Sequence, residues 1–139
     1  MSYLLDTNVF SELRKGPRGA PMVLAWNRFT RSEVKFISVL TLGELRRGAE
    51  NIRRRDPHSA VHLERWVYTV IREYTDRILP VGLEVADLWG RLCLNQPLPP
   101  VDGLLAATAL HHDLTLVTRN VADVARSGAR VFNPFEASA

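Results

Sequence analysis

The sequence has only one cysteine, no long apolar run and no segment that resembles a signal peptide. Each of these features argues against a class of protein. Cys93 lies between two leucines, so we expect a small core residue in a reducing compartment rather than a disulfide. The apolar runs are only a few residues long, far short of the roughly 20 that a membrane-spanning helix needs. The first residues contain neither a basic segment nor a cleavable apolar stretch, so we expect no signal peptide and a cytoplasmic protein.

Lysine is also scarce, with 2 residues against 16 arginines, although the formal net charge is only +3. The planar, five-donor guanidinium of arginine suits phosphate and carboxylate groups, which favours nucleic acid or an acidic protein as a partner. Coding bias in a GC-rich genome explains the same composition equally well, so both explanations stay open. The remaining composition is that of an ordinary globular protein, and 139 residues are enough for one domain with a real core.

Strand-like and helix-like segments alternate along the chain. We predict strands at residues 3–5, 34–38, 77–81, 114–118 and 130–132. We predict helices at residues 7–15, 21–31, 39–52, 57–76 and about 85–92, and another that starts at or just after Asp102 and runs to His112. This alternation, without two-residue hairpin turns, is typical of a largely parallel sheet covered on both faces. The predicted fold class is α/β, in one domain over residues 1–139.

The helix predicted at 57–76 has the clearest periodicity in the chain. Apolar residues spaced by three and four positions predict one buried face on this helix. The residues of that stripe are Leu63, Trp66, Val67, Val70, Ile71 and Tyr74.

Four acidic residues stand at comparable junctions of strands and helices, and they are Asp6, Glu44, Asp102 and Asp123. The carboxyl ends of parallel strands are where open α/β sheets bind ligands. Each acid also has a purely structural explanation. Asp6 and Asp102 are good helix caps, and Glu44 is an ordinary solvated helix residue. Asp123 fits a capping box begun by Asn120.

Two glycines flank Glu44 in the predicted helix. Gly43 is adjacent to it and Gly48 lies one turn further on. A glycine inside a helix costs about 1 kcal/mol relative to alanine, so we interpret the pair as space kept clear beside the carboxylate.

Four carboxylates at one sheet edge would repel each other unless they are protonated or neutralised by cations. Oxygen ligands without a Cys/His cluster suit Mg²⁺ or Mn²⁺ rather than zinc. Such an ion polarises a phosphoryl oxygen and activates water, and the number of ions stays open. The residues therefore predict a metal-dependent enzyme that acts on phosphodiesters. His58 and His62 are spaced i, i+4 but have no third ligand, so we expect a solvated pair there.

The densest basic stretch consists of Arg46, Arg47, Arg53, Arg54 and Arg55. Phosphate contacts dominate non-specific affinity for nucleic acid, which is one interpretation of this stretch. The other is a solvated face laced by salt bridges, in which Glu50 pairs with Arg54 at i, i+4.

Four motifs at these positions resemble the PIN-domain nucleases, and within them the VapC-type toxins of bacterial toxin–antitoxin pairs. In chain order they are LLDTN at 4–8, SVLTLGEL at 38–45, DGLLAATA at 102–109 and LVTRNVAD at 116–123. The resemblance covers nearly the whole chain. It implies an α/β/α sandwich around a central, mainly parallel sheet, with a Mg²⁺- or Mn²⁺-dependent ribonuclease site.

The resemblance also implies roles for individual residues. The acidic quartet that would bind the metal is Asp6, Glu44, Asp102 and Asp123. Thr7 and Thr118 are similar to hydroxyl residues that orient metal-bound water or support the carboxylates. Arg119, next to the proposed site, and Asn120 are predicted to contact substrate. Val124 stands where the family often has an aromatic residue.

The function implied by the resemblance is that of an endoribonuclease toxin, which hydrolyses RNA phosphodiesters with a metal-activated water and is silenced by an antitoxin protein. It further implies a homodimer, and an antitoxin segment docked near Val9, Phe10 and Leu13. One alternative is a PIN-like module that has lost catalysis and only binds RNA or protein, but the intact acid set argues against it. Another is a phosphohydrolase with Asp6 as covalent nucleophile. That chemistry usually needs a second acid two residues later, where this chain has Asn8.

Overall fold

A computed structural model of the chain describes residues 1–92 and 95–136, and within these residues five strands form one sheet. Every neighbouring pair of strands is parallel. The strands are β1 (Ser2–Leu5), β2 (Val34–Ser38), β3 (Ile78–Leu79), β4 (Thr115–Val117) and β5 (Val131–Phe132). Their order across the sheet is β3-β2-β1-β4-β5, which places the first strand at the centre.

Helices connect the strands throughout the described part of the chain. They are α1 (Thr7–Arg14), α2 (Pro21–Phe29), α3 (Val39–Arg53), α4 (Pro57–Glu73), α5 (Leu83–Arg91), α6 (Pro100–His112) and α7 (Val121–Ala125). Every predicted strand and helix is present, and the differences lie at the ends. The third strand, for example, stops at Leu79, because Pro80 has no backbone N–H to donate to a ladder.

The start of α6 differs from the prediction of a start at or just after Asp102. The helix begins at Pro100, and no side chain caps it. Proline is favoured at the first helical position because its fixed φ suits the helix and its missing N–H would be unpaired there anyway. Asp102 therefore lies inside the first turn and is not the helix cap.

The alternating side chains of β1 enter two separate cores. Tyr3 and Leu5 belong to a cluster with apolar residues of α1, α2, α3 and α4. Leu4 belongs to a second cluster, with apolar residues of α6 and α7. Because successive strand residues point to opposite faces of a sheet, helices cover both faces. The predicted α/β/α sandwich is confirmed.

The apolar stripe predicted on α4 is correct except at Ile71. Leu63, Val67 and Val70 are buried, whereas Ile71 is 41% exposed. At about 100° per residue, Ile71 lies at the margin of the stripe that these three residues define. The periodicity therefore predicts the correct face, and the width of that face depends on what packs against it.

None of the helices in residues 1–92 and 95–136 combines the length and the apolar character needed to cross a bilayer. The predicted core position of Cys93 lies outside the described residues.

Two glycine substitutions should have opposite effects on stability. A Cβ at Gly19 would collide with the backbone carbonyl oxygen of Glu12, whereas a Cβ at Gly43 would meet no atom within 4 Å. We expect Gly19→Ala to lower the free energy of unfolding by about 1–3 kcal/mol through steric strain. Gly43→Ala should raise it by up to about 1 kcal/mol through helix propensity. Urea unfolding of both variants measures this, and equal stability of the two would contradict the close approach at Gly19.

Candidate active site at the carboxyl edge of the sheet

The register of the two central strands brings Asp6 next to Thr118. Leu5 of β1 pairs with Val117 of β4, so the residues that follow them meet at the carboxyl edge of the sheet. The backbone N–H of Asp6 donates to the carbonyl of Val117 at 2.9 Å. The fully buried Thr118 hydroxyl donates to Oδ2 of Asp6 at 2.7 Å. The Asp6 side chain is itself buried, with 7% of the residue exposed.

Asp6 is also the N-cap of α1. Its Oδ1 accepts a hydrogen bond from the backbone N–H of Thr7 at 2.7 Å. The structural explanation of this acid and its position at the sheet edge are therefore both correct, and a single carboxylate joins β1, α1 and the end of β4.

Thr7 connects this carboxylate with Glu44. Its hydroxyl donates to Oε1 of Glu44 at 2.5 Å. The hydroxyl oxygen of Thr7 also lies 3.2 Å from the hydroxyl oxygen of Thr41. Both threonines and Glu44 lie at the start of α1 or in the first half of α3. Glu44 is half-buried and hydrogen-bonded, and it is not a fully solvated helix residue.

Asn120 connects Asp102 with the same cluster. Its side-chain amide donates to Oδ2 of Asp102 at 3.2 Å, and its backbone N–H donates to Oγ1 of Thr118 at 3.2 Å. Asn120 is the residue before α7, but its side chain makes no capping hydrogen bond there. The alternative explanation of Asp123 by a capping box is therefore wrong, since the Asn120 side chain contacts Asp102 and does not cap α7.

Two of the other acids, Glu44 and Asp102, lie close enough to Asp6 for their charges to act on it. The pKa of Asp6 is raised above its ordinary value of 3.8, chiefly by burial and further by the negative charges of Asp102 and Glu44. Hydrogen bonds from Thr118 and Thr7 oppose this rise because they stabilise the charged form. The charged carboxylate of Asp6 is thus less favourable in the folded chain than in water.

Asp123 stands apart from the other three acids. It lies in the first turn of α7, and its side chain is 59% exposed and 3.9 Å from Arg126. Within residues 1–92 and 95–136 its side chain makes no hydrogen bond. Its metal-binding role stays a prediction.

Arg119 follows Thr118 at the same edge and is exposed. Its guanidinium stacks 3.7 Å above the ring of Phe135. With Asn120 it lines a groove of about 550 Å³ between the ends of β4 and β5. A substrate contact by Arg119 or Asn120 stays a prediction, although both face a cavity next to the acids.

The donor set has the chemistry of a Mg²⁺ or Mn²⁺ site, but it is not assembled into one. Asp6, Glu44 and Asp102 offer only carboxylate oxygens, which hard divalent cations prefer. Burial chiefly, and the negative charges of Asp102 and Glu44 in addition, raise the pKa of Asp6, and a bound cation would offset both effects. In the part of the chain that the structure describes, no three His, Cys, Asp or Glu side chains are close enough to hold an ion as they stand.

Two further side chains lie beside the acids, and the sequence motifs indicate no role for either. Thr41 is fully buried and contacts Thr7, and Asn8 donates to Oδ2 of Asp6 at 3.4 Å. The signal for Thr41 was its position one helical turn before Glu44, where a polar residue interrupts the buried face of α3.

The basic stretch begins two residues after Glu44 on α3 and continues past the end of that helix, and the histidine pair lies on α4. Glu50 forms ion pairs with Arg46 and Arg53 at 3.6 and 3.1 Å. The interpretation of a salt-bridged face is therefore correct for these two arginines, although the partner of Glu50 is not Arg54. Arg53 reaches Glu50 by the i, i+3 relation, and both arginines also pair with Glu64 of α4. His58 and His62 are exposed and lie 3.1 Å apart between Nε2 atoms, as expected for a solvated pair.

Comparison with known proteins identifies the family. The family model described as PIN domain matches residues 3–124. The chain therefore belongs to the PIN domain family, and the resemblance seen in its motifs is confirmed.

Two curated relatives match over nearly their whole length. Toxin FitB of Neisseria gonorrhoeae is 31% identical over 137 residues, which cover 95% of this chain and 97% of FitB. VapC ribonuclease Y4jK of Sinorhizobium fredii is 31% identical over 141 residues, covering 96% and 97% of the two chains.

Solved structures show the same fold. The crystal structure of FitAcB from Neisseria gonorrhoeae matches with a TM-score of 0.80 and 30% identity, over 97% of this chain and 99% of that one. A toxin–antitoxin complex from Klebsiella pneumoniae matches with a TM-score of 0.66 and 25% identity, over 97% and 99%.

The raised pKa of Asp6 makes a prediction about stability without metal. Because the folded-state pKa lies above the unfolded value, the Asp6 carboxylate destabilises the fold increasingly as the pH rises through the folded-state pKa. We expect Asp6→Asn, in chelator, to be at least as stable as wild type at neutral pH. This advantage should shrink as the pH falls towards 3.8. Thermal unfolding against pH measures it, and a midpoint several degrees lower at neutral pH would show that the charged cap is essential.

The Thr118 hydroxyl should be needed to keep Asp6 charged. Thr118→Val leaves a buried carboxylate without its side-chain donor, so we expect a loss of about 1–3 kcal/mol in unfolding free energy at neutral pH. Thr118→Ser, which keeps the hydroxyl, is the matched control. If the valine variant proves as stable as the serine variant by chemical denaturation, the bond to Asp6 does not support the site.

Proposed function

We propose that this chain is a Mg²⁺- or Mn²⁺-dependent endoribonuclease and the toxin of a toxin–antitoxin pair. The observation that carries the proposal is the convergence of Asp6, Glu44 and Asp102 at the carboxyl edge of a parallel sheet. The names of its relatives support the same class, because one is called a toxin and another a VapC ribonuclease. The substrate class is RNA.

Asp6 and Asp102 would hold the principal ion, and Glu44 and Asp123 would bind it directly or through water. A bound ion of this kind polarises a phosphoryl oxygen and lowers the pKa of water. The hydroxyl of Thr118 and the N–H of Thr7 hold Asp6 in one orientation, and the Asn120 amide does the same for Asp102.

Glu44 is the residue that we assign to proton transfer. Thr7 occupies Oε1 of Glu44, and within the described residues Oε2 accepts no hydrogen bond. Oε2 would be the atom that takes a proton from the attacking water, with Glu44 contacting the ion through that water. Thr7 fixes the carboxylate for this step, and Thr41 supports Thr7 from the buried side of α3.

The proposal includes a cognate antitoxin, a homodimer and a cytoplasmic site of action. A structural neighbour is a toxin–antitoxin complex, which supports a protein partner of this kind. The docking surface expected near Val9, Phe10 and Leu13 needs correction. Val9 and Phe10 are 0% and 3% exposed because they pack in the core under the sheet, so only Leu13 remains for contact.

One observation favours the second candidate, a catalytically inactive PIN-like module that binds RNA or protein. In the described residues, the acids do not form a ready coordination shell. Cation binding would have to draw Asp6, Glu44 and Asp102 closer together. A module of this kind would bind RNA equally well with metal or with chelator and would leave it uncut.

RNA cleavage separates the two candidates. Purified protein is incubated with structured RNA in Mg²⁺, in Mn²⁺ and in EDTA, and the products are resolved on a denaturing gel. We expect cleavage only with metal. Asp6→Asn, Glu44→Gln and Asp102→Asn should each slow it by roughly a hundredfold or more, the scale of losing a group that stabilises the transition state.

Asp123→Asn tests the exposed fourth acid, and Asp87→Asn, at an exposed position on α5, is a surface control of the same charge change. Unchanged cleavage in EDTA, or in all three acid variants, would refute a metal-dependent nuclease. Intact RNA in every condition, with binding retained, would identify the inactive module.

A further inference from the structure

Helix α3 carries arginines on two exposed sides, and only one side is neutralised. On the side towards α4, Arg46 and Arg53 form ion pairs with Glu50 and Glu64, at distances from 2.6 to 3.6 Å. These four residues are a closed network of two positive and two negative charges.

The other side continues from Glu44 as a polar row. Arg47, Asn51 and Arg55 follow Glu44 at intervals of three, four and four residues, which places all of them on one face of a helix. Arg54 keeps helical backbone angles at the end of α3 (φ −65°, ψ −35°), so the turn extends to Arg55. All three side chains in the row are exposed.

The arginines of this row have no protein counter-charge in the described residues. Neither Arg47 nor Arg55 forms an ion pair or a side-chain hydrogen bond in residues 1–92 and 95–136. Even Glu44, one turn before Arg47, is engaged by Thr7 instead. Two adjacent sides of α3 thus differ in their ion pairing. On the side towards α4 the arginines are paired with glutamates, whereas on the other side the arginine N–H donors have no acceptor in the described residues.

We propose that the row Arg47–Asn51–Arg55 binds the phosphate backbone of single-stranded RNA as it leaves the acidic site. This inference rests on the proposed function and names the path of its substrate. At about 1.5 Å per residue, the row extends about 16 Å from Glu44 to Arg55, enough for a few nucleotides. Arginine and asparagine are side chains that contact phosphates.

An acidic protein is the other anion that could meet two arginines. The row contains no apolar side chain, whereas the buried centre of a protein interface is apolar and depleted in charge. The direct continuation from Glu44 also favours a ligand that occupies the acidic site and the row at once. Both points favour RNA.

The experiment compares two double variants of the same helix with the same change in charge. R47Q/R55Q removes the unpaired arginines, and R46Q/R53Q removes the paired ones. Binding of a fluorescein-labelled single-stranded oligoribonucleotide is measured by anisotropy in EDTA over a series of salt concentrations. Cleavage of the same RNA is measured with Mg²⁺.

We expect R47Q/R55Q to weaken RNA binding at low salt by roughly tenfold or more. The slope of log K against log salt concentration should become shallower by about 1.4, because each of the two lost phosphate contacts contributes about 0.7. In cleavage, KM should rise with little change in kcat, because the row binds substrate without touching the reacting atoms. R46Q/R53Q should bind and cleave like wild type, since these arginines are already paired with Glu50 and Glu64.

Equal losses in both double variants would overturn the inference, because the effect would then be one of net charge alone. Wild-type affinity for RNA in R47Q/R55Q would also overturn it. Polyglutamate is the competitor that stands for an acidic protein, and equal displacement of the RNA by it from wild type and from R47Q/R55Q would overturn the inference as well. Failure of the proposed function gives a different result. In that case the wild-type protein leaves the RNA uncut in Mg²⁺, whether or not it binds the RNA.

Discussion

The buried carboxylate of Asp6 is the constraint on which the site depends. It ends the central strand, caps the following helix and accepts a hydrogen bond from Thr118 at the end of the neighbouring strand. These bonds are possible because β1 and β4 run parallel and in register, which puts their carboxyl ends side by side. Shifting either strand by one residue would turn one of the two side chains to the other face of the sheet.

This arrangement lowers stability at the edge of the sheet. Burial and two neighbouring negative charges raise the pKa of Asp6, so the charged form of this carboxylate is less favourable in the folded chain than in water. The N-terminus of α1 and the hydroxyl of Thr118 offset part of the penalty, because a helix N-terminus favours an anion. Violations of ordinary folding preferences are expected at functional sites, where they serve a ligand and not the fold. A divalent cation is the ligand that would relieve this one.

Charge is handled differently a few residues further along α3. The charges of Arg46, Glu50, Arg53 and Glu64 balance each other between α3 and α4. The pairs are exposed or half-buried, so each contributes little energy. Arg47 and Arg55 have no such partners in the described residues. In residues 1–92 and 95–136 the three carboxylates form no ion pair with a basic side chain, and the row of arginines forms none with an acidic one. A phosphate chain with its metal ion would complement both. The two features therefore support a single kind of substrate.

The sequence by itself determined the elements, their order and the fold class, because these follow from local periodicity and turn chemistry. It also located Asp6, Glu44 and Asp102, since each acid stands next to a strand end or a small-residue helix segment. Only the tertiary structure decided which side chains contact each other and how wide a buried face is. Asn120 donates to Asp102 and does not cap its own helix, and Glu50 pairs with Arg53 and not with Arg54. Ile71, at the margin of its apolar stripe, is exposed. The reason is physical. Propensity and spacing act between residues near in sequence, whereas these contacts depend on how distant elements pack, and several arrangements of similar energy are open to the local chain.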